Sequence, residues 1–177
     1  INQLKKDDLY ENTIIFFFSD HGGPFPRYKR SIYETGIRVP MIAKWINDST
    51  RGNNYQLVSF VDFAPTVLDA ANLIRKFPFE GISFFKKNNR RYVYAASDRF
   101  DEATDIRRSI RDSKFKLIYN GDTLSPVYKS LRYRKQMQTT QVLDSLDDHC
   151  NPKNFFSNWF SKRKNRFELY EVSKDYY

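Results

Sequence analysis

An unbroken apolar block, Ile14-Ile15-Phe16-Phe17-Phe18, stands out from a chain whose apolar residues otherwise alternate or recur at helical spacing. A run this short, β-branched and aromatic, and apolar on both faces predicts a strand buried on both sides. Ahead of it, Gln3, Leu4, Lys5, Lys6 and Leu9 predict the end of a helix and a turn. After it, Val39 to Trp45 predicts a second apolar strand. The polar, glycine-bearing residues 47–54 predict a surface loop, whose Asn47-Asp48-Ser49 also matches a glycosylation acceptor. A helix is predicted from about Asp62 to Leu73, starting just before Pro65 because proline is tolerated only in a first turn. Phe63, Val67, Ala70 and Ala71 share one face, predicted to pack on a sheet, with Asp62 an N-cap and Asp69 a solvated acid.

The second half is richer in short strands. Tyr92 to Ser97 predicts one that ends in an acidic cluster, Asp98-Arg99-Phe100-Asp101-Glu102. Ile106 to Tyr119 predicts a hairpin: Ile106, Arg108 and Ile110 alternate with Arg107, Ser109 and Arg111, Asp112-Ser113 turns, and Phe115, Leu117 and Tyr119 alternate on the return. Leu131, Met137, Val142 and Leu146 stand at helical spacing. Phe155, Phe156, Trp159 and Phe160 form an aromatic cluster of the kind used for core or lid packing, and Phe167 to Val172 predicts a last strand.

Chemistry concentrates where the first strand stops, at Ser19-Asp20-His21-Gly22-Gly23. In open α/β sheets ligands bind outside the carboxyl ends of strands. Asp20 and His21 are adjacent, so both can face one ion only if the backbone leaves strand geometry, which Gly22 and Gly23 permit. Arg27, Lys29 and Arg30 follow in a loop stiffened by Pro24 and Pro26. A carboxylate, an imidazole and several cations suit a hard metal ion such as Ca²⁺ together with a bound phosphate or sulfate. A plain turn followed by a solvated basic loop fits the same residues.

These pieces resemble, in order, the second half of the sulfatase family of the alkaline phosphatase superfamily. The carrying residues are Ser19-Asp20-His21-Gly22, Lys29, Tyr33-Glu34-x-Gly36-Ile37-Arg38-Val39-Pro40 leading into Met41 to Trp45, the block Leu57 to Asp69, and Glu168-Leu169-Tyr170-Glu171-Val172-x-Lys174-Asp175 near the end. The resemblance implies an α/β fold: part of an alkaline-phosphatase-like sandwich with a mainly parallel central sheet, plus a small antiparallel C-terminal sheet. Residues 1–90 would be the C-terminal part of the catalytic domain and 91–177 a small C-terminal α+β subdomain. It implies Asp20 and His21 as ligands of one Ca²⁺, and Lys29 as the catalytic residue that binds a sulfate oxygen and helps the leaving group. Arg27 would touch the same anion. Asp98, Arg99, Asp101 and Glu102 are similar to a substrate-contacting segment of the heparan N-sulfoglucosamine sulfohydrolase-like branch, although a solvated loop of mixed charge fits them equally.

Sulfatases use a cysteine or serine oxidised to formylglycine in a Cys/Ser-x-Pro-x-Arg signature. The nearest match, Cys150-Asn151-Pro152-Lys153-Asn154, lacks the arginine and lies downstream of the Asp-His-Gly strand, so Cys150 reads as incidental. The family's paired N-terminal aspartates are absent as well. The chain opens INQLKKDDLYEN, with no initiator Met and no apolar signal core. The expectation is a fragment of a hydrolase for a sulfated sugar or similar small ester, inactive alone, whose nucleophile lies in an N-terminal half of the same polypeptide. Relatives are mostly exported, to the periplasm, the cell exterior or the lysosome. The alternatives are a non-catalytic polyanion-binding remnant, or a phosphodiesterase or phosphonate hydrolase of the same superfamily.

Composition narrows the partners. The 177 residues carry a net charge of +9, which steers anions. Lys and Arg are spread along the whole chain without a nucleic-acid-binding motif, so a sulfated small molecule or glycan is expected rather than nucleic acid. No apolar run approaches the ~18 residues needed to span a bilayer. A single cysteine excludes an internal disulfide.

Overall fold

The computed structural model describes residues 1–46, 51–74, 76–85, 88–147 and 161–175. Asn47-Asp48-Ser49, His149, Cys150 and the cluster Phe155 to Phe160 lie outside the described residues. The chain divides into two compact units, Ile1–Asn54 and the part from Tyr55 onward. The join expected near residue 90 lies inside the second of these.

The first unit holds α1 (Asn2–Lys6), β1 (Ile15–Phe18), α2 (Glu34–Ile37) and β2 (Met41–Lys44). The two strands pair antiparallel, with Ile15 opposite Lys44 and Phe18 opposite Met41. Lys44 anchors the turn before β1: its ammonium donates to the carbonyls of Tyr10 (2.5 Å) and Thr13 (3.1 Å) and sits 4.5 Å from the Tyr10 ring centre. Phe16 meets Trp45 edge to face at 5.3 Å. The expected burial of β1 on both sides is not observed: Phe17 is 71% and its partner Ile42 66% exposed. The physical reason is that β1 and β2 make a two-stranded ribbon, to which no third strand pairs among the described residues. No parallel strand pair occurs among the described residues.

In the second unit a 3₁₀ turn, Phe60–Asp62, runs into α3 (Phe63–Ala70). Ser59 and Asp62 form a capping box, and Pro65 sits in the first turn, where its absent N–H costs nothing. The expected inward face of α3 is corrected by the structure. Val67 is exposed, and the buried side chains are Pro65 and Thr66, with Asp62 just ahead. Asp62 stands at the expected N-cap position of α3, and it is a fully buried carboxylate that accepts from the backbone N–H of Ser59 (2.7 Å) and Ile82 (2.8 Å) and pairs with Arg90. Thr66 hydroxyl accepts from Phe84 N–H at 3.0 Å, and Phe84 packs on Phe63 at 5.3 Å. The extended piece 81–85 is therefore laced onto α3 by polar bonds that apolar spacing does not reveal.

The remainder of this unit is a four-stranded antiparallel sheet, β3 (Val93–Phe100), β4 (Ala103–Arg111), β5 (Phe115–Asn120) and β6 (Phe167–Glu171), in that spatial order. This is the small antiparallel sheet expected beyond residue 91. The β4–β5 hairpin turns where predicted: Asp112 Oδ1 accepts the N–H groups of Lys114 (2.7 Å) and Phe115 (2.6 Å), an Asx-type turn. The face buried in this sheet is the polar one. Asp105, Arg107, Ser109, Lys116 and Asn120 point inward with Ile118, while Phe115, Leu117, Tyr119, Phe167 and Leu169 face out. Several of these buried polar groups bond one another or Lys164 and Glu168. Lys164 pairs with Asp105, Arg107 Nε donates to Asn120 Oδ1 at 2.7 Å, and Asn120 Nδ2 donates to Glu168 Oε1 at 2.6 Å. The predicted helix at 131–146 is two helices, α4 (Arg132–Lys135) and α5 (Gln138–Asp147). They bury Leu131 and Leu143 rather than Val142 and Leu146.

Candidate active site

β1 ends at Phe18, and the next five residues leave strand geometry, although neither Gly22 nor Gly23 takes the positive φ expected of them. Ser19 hydroxyl donates to the His21 carbonyl at 2.7 Å and closes the bend. The bend turns two adjacent side chains to one side. Asp20 Oδ2 lies 3.4 Å from His21 Nε2. His21 Nδ1 lies 2.8 Å from the Gly22 carbonyl, an acceptor only, so Nδ1 donates there and Nε2 is the ring nitrogen turned towards Asp20. A carboxylate and an imidazole nitrogen thus lie side by side, with the Asp20 side chain 82% exposed. That donor set fits a divalent cation at two of its positions. Among the described residues no three His, Cys, Asp or Glu side chains cluster as a metal site, and Ca²⁺ takes roughly six to eight oxygens.

The basic loop is fastened to this strand end by backbone. Gly22 N–H donates to the Gly36 carbonyl at 2.9 Å, so the residue after His21 lies against the first helical turn of α2. The approach is so close that a Cβ on Gly22 would stand 2.0 Å from the Thr35 carbonyl oxygen. Thr35 hydroxyl in turn donates to the Arg27 carbonyl at 2.5 Å. The Gly23 carbonyl accepts from Phe25 N–H (2.8 Å) and Lys29 N–H (3.0 Å), curling the loop so that Lys29 returns beside the glycines. Arg27 and Arg30 both take φ of 63°, a left-handed conformation uncommon for side chains of this bulk. Arg27 lays its guanidinium 4.1 Å from the centre of the Tyr33 ring. The first unit thus brings Asp20 and His21 together and ties them to the loop of Arg27 and Lys29.

Gly36 is a second tight point of that tie. A Cβ there would lie 2.2 Å from the Ser31 carbonyl oxygen and 2.5 Å from that of Tyr28, both backbone. Gly36→Ala is expected to destabilise the protein by about 1–3 kcal/mol, the usual cost of overpacking. Urea unfolding would show a lowered midpoint with an unchanged slope. An unchanged midpoint would mean that the arc from Tyr28 to Ser31 is not held as described.

The acidic cluster belongs to the second unit, and its setting differs from the expected strand end. β3 runs on to Phe100 through an irregularity between Ser97 and Arg99, so Asp101 and Glu102 form the tip of the β3–β4 hairpin, with Asp101 at φ 48°. Each expected contact residue has a structural partner. Asp98 pairs with Arg108 at 2.8 Å, Arg99 Nε donates to the Asp101 carbonyl at 2.8 Å, and Glu102 Oε1 accepts from Arg132 N–H, the first residue of α4, at 2.7 Å. The bond from the Arg132 amide holds the Glu102 carboxyl below a carboxylate's ordinary value. A lowered folded pKa stabilises above the ordinary value and is lost as pH falls through the lowered one. The stability gap between wild type and Glu102→Gln should therefore be full above about pH 4.5 and close at lower pH. A gap that stays constant down to pH 2 would contradict the bond.

Sequence reasoning passed over Thr35, the unspecified residue of the Tyr-Glu-x-Gly pattern, and the partners Arg108 and Arg132. A hydroxyl beside a glycine in a turn carries no pattern signal of its own, and these arginines look like ordinary strand and helix charges.

Comparison with known proteins bears on this geometry. Residues 1–73 match the Sulfatase family model. An ulvan-active sulfatase of Formosa agariphila is 40% identical over 179 residues, covering 99% of this chain and 30% of that protein. An N-acetylglucosamine-6-sulfatase of Capra hircus is 33% identical over 90 residues, covering 48% of this chain and 16% of that protein. Among solved structures, one determined in complex with its substrate D-glucosamine-2-N,6-O-disulfate superposes with a TM-score of 0.61 at 22% identity, covering 98% of this chain and 30% of that one. The chain thus spans about 30% of the length of the first of these relatives.

Proposed function

This chain belongs to the sulfatase family, and on that premise we propose that it supplies part of the active site of a hydrolase for sulfate esters or N-sulfates of a sugar. The observation that carries the reading is the backbone tie between Gly22 and Gly36, which sets the neighbouring Asp20 and His21 beside the loop of Lys29. Lys29 binds a sulfate oxygen with its ammonium and stabilises the charge that moves onto the leaving oxygen or nitrogen. Arg27 offers a second cation to the same anion. Asp20 and His21 hold a divalent ion, Ca²⁺ on this reading, which when bound supplies positive charge opposite the developing negative charge. His21 contributes through Nε2, since its Nδ1 proton is engaged by Gly22. The nucleophile, a formylglycine, and the remaining metal ligands come from outside this chain.

On this reading residues 1–90 complete a catalytic α/β domain in which β1 and β2 join a larger, mainly parallel sheet, and 91–177 form a small C-terminal subdomain. The bare apolar faces of Phe17 and Ile42 are what such a join would cover. The exposed Asp98 and Arg99, with Asp101 and Glu102 at the hairpin tip, contact the sugar. A sulfated glucosamine is the substrate class favoured, because a structural neighbour was solved with one as its substrate.

The test is sulfate release by the intact gene product from glucosamine 6-O-sulfate and N-sulfoglucosamine, set against bis(p-nitrophenyl) phosphate. Sulfate release that a calcium chelator suppresses is expected, with none from residues 1–177 alone. Preferential cleavage of the phosphodiester, or sulfate release by residues 1–177 alone, would overturn the reading.

A further inference from the structure

Arg27 combines three features that a solvated loop arginine does not need. Its backbone is left-handed at φ 63°, a conformation that costs energy and persists where surrounding bonds impose it. The imposing bond is the Thr35 hydroxyl on its carbonyl at 2.5 Å. Its guanidinium is stacked 4.1 Å from the centre of Tyr33, a ring only 3% exposed. And its Nε is buried with no hydrogen-bond partner. A buried donor left unmade is costly, and in native proteins such a group asks for an explanation.

Tyr33 is itself fixed. Its N–H donates to Ser31 Oγ at 3.1 Å, and its carbonyl accepts from Gly36 N–H at 2.9 Å, the same Gly36 whose carbonyl holds Gly22. The ring is therefore registered to the strand end that carries Asp20 and His21. A guanidinium stacked on a fixed ring cannot swing out of its plane, and its N–H edge stays directed.

We propose that Tyr33 is a positioning residue: its ring, with Thr35 behind the backbone, presents the N–H edge of Arg27 as a second clamp on the oxyanion that Lys29 binds. The inference rests on the sulfatase reading above and adds to it a reason for Tyr33 and a defined role for Arg27. Lysine would not serve in place of Arg27, since an ammonium lacks both the stacking plane and the forked donors.

The experiment measures inorganic sulfate binding to the intact gene product by calorimetry, with circular dichroism to show each variant folded. Tyr33→Leu and Arg27→Ala should each weaken sulfate binding roughly tenfold, the order a desolvated cation–π contact supplies. The double variant should be hardly weaker than either single one, because the two residues act as a unit. Tyr33→Phe, which keeps the ring face, should bind as wild type. If Tyr33→Leu does not fold, Arg27→Lys takes its place and should show the same loss with Tyr33 intact. Wild-type binding in folded Tyr33→Leu or in Arg27→Lys overturns the positioning role while leaving the sulfatase reading standing. A wild type that binds no sulfate overturns both, and is recognised because then no variant differs from it.

Discussion

Lys29→Ala in the intact gene product is expected to lower the turnover of sulfate release by roughly 10²–10³-fold, the usual effect of removing one donor from developing charge in a preorganised site. The loop's path at Lys29 is fixed by a backbone bond that the substitution keeps, its N–H on the Gly23 carbonyl at 3.0 Å. Loss of rate should therefore come without loss of fold. Lys29→Arg should recover only part of the rate, since the fork of a guanidinium cannot occupy the place of a compact ammonium. Steady-state kinetics with a melting curve on each variant decide the matter. A Lys29→Ala enzyme that retains most of its turnover would remove Lys29 from the chemistry.

The second large effect is on stability. Asp62→Ala should cost about 3–5 kcal/mol, the penalty for leaving a buried charge without its partner. Asp62 is 0% exposed, and its carboxylate joins three segments: Ser59 ahead of the 3₁₀ turn, Ile82, and Arg90 ahead of β3. Removing it strands the Arg90 guanidinium, whose side chain is 10% exposed, and orphans two backbone N–H groups. Asp62→Asn should cost less, because an amide oxygen still accepts one of those N–H bonds. Urea denaturation gives the difference directly. A cost below about 1 kcal/mol would mean that the Asp62 network does not hold the second unit together.

The bend after β1 was more legible in the sequence than the packing around it. Asp20, His21 and the paired glycines announce a strand end that must bend, and the structure bends there. The β4–β5 hairpin was legible because alternation plus Asp112 fixes both register and turn. What alternation cannot say is which face turns inward. In β4 and β5 the inward face carries Asp105, Arg107, Lys116 and Asn120, and Lys164 and Glu168 neutralise and bond it from positions distant in sequence. The Asp62 hub was illegible for the same reason, since its partners Ile82 and Arg90 lie 20 and 28 residues away. The apolar run of β1 predicted burial that the two-stranded ribbon does not provide, because a pattern apolar on both faces describes a strand flanked by layers and says nothing of where those layers come from. Thr35 and Tyr33 were missed as actors since their work is done on Arg27, through a loop whose path only the structure gives.

The central claim is that this chain carries one part of a sulfatase centre whose nucleophile lies elsewhere in the same polypeptide. Reading the transcript upstream of Ile1 tests it most directly. The account predicts that the frame continues into a Cys/Ser-x-Pro-x-Arg signature preceded by two adjacent aspartates. A start codon just ahead of Ile1, with no such signature in frame, would contradict it and leave an anion-binding relative without catalysis.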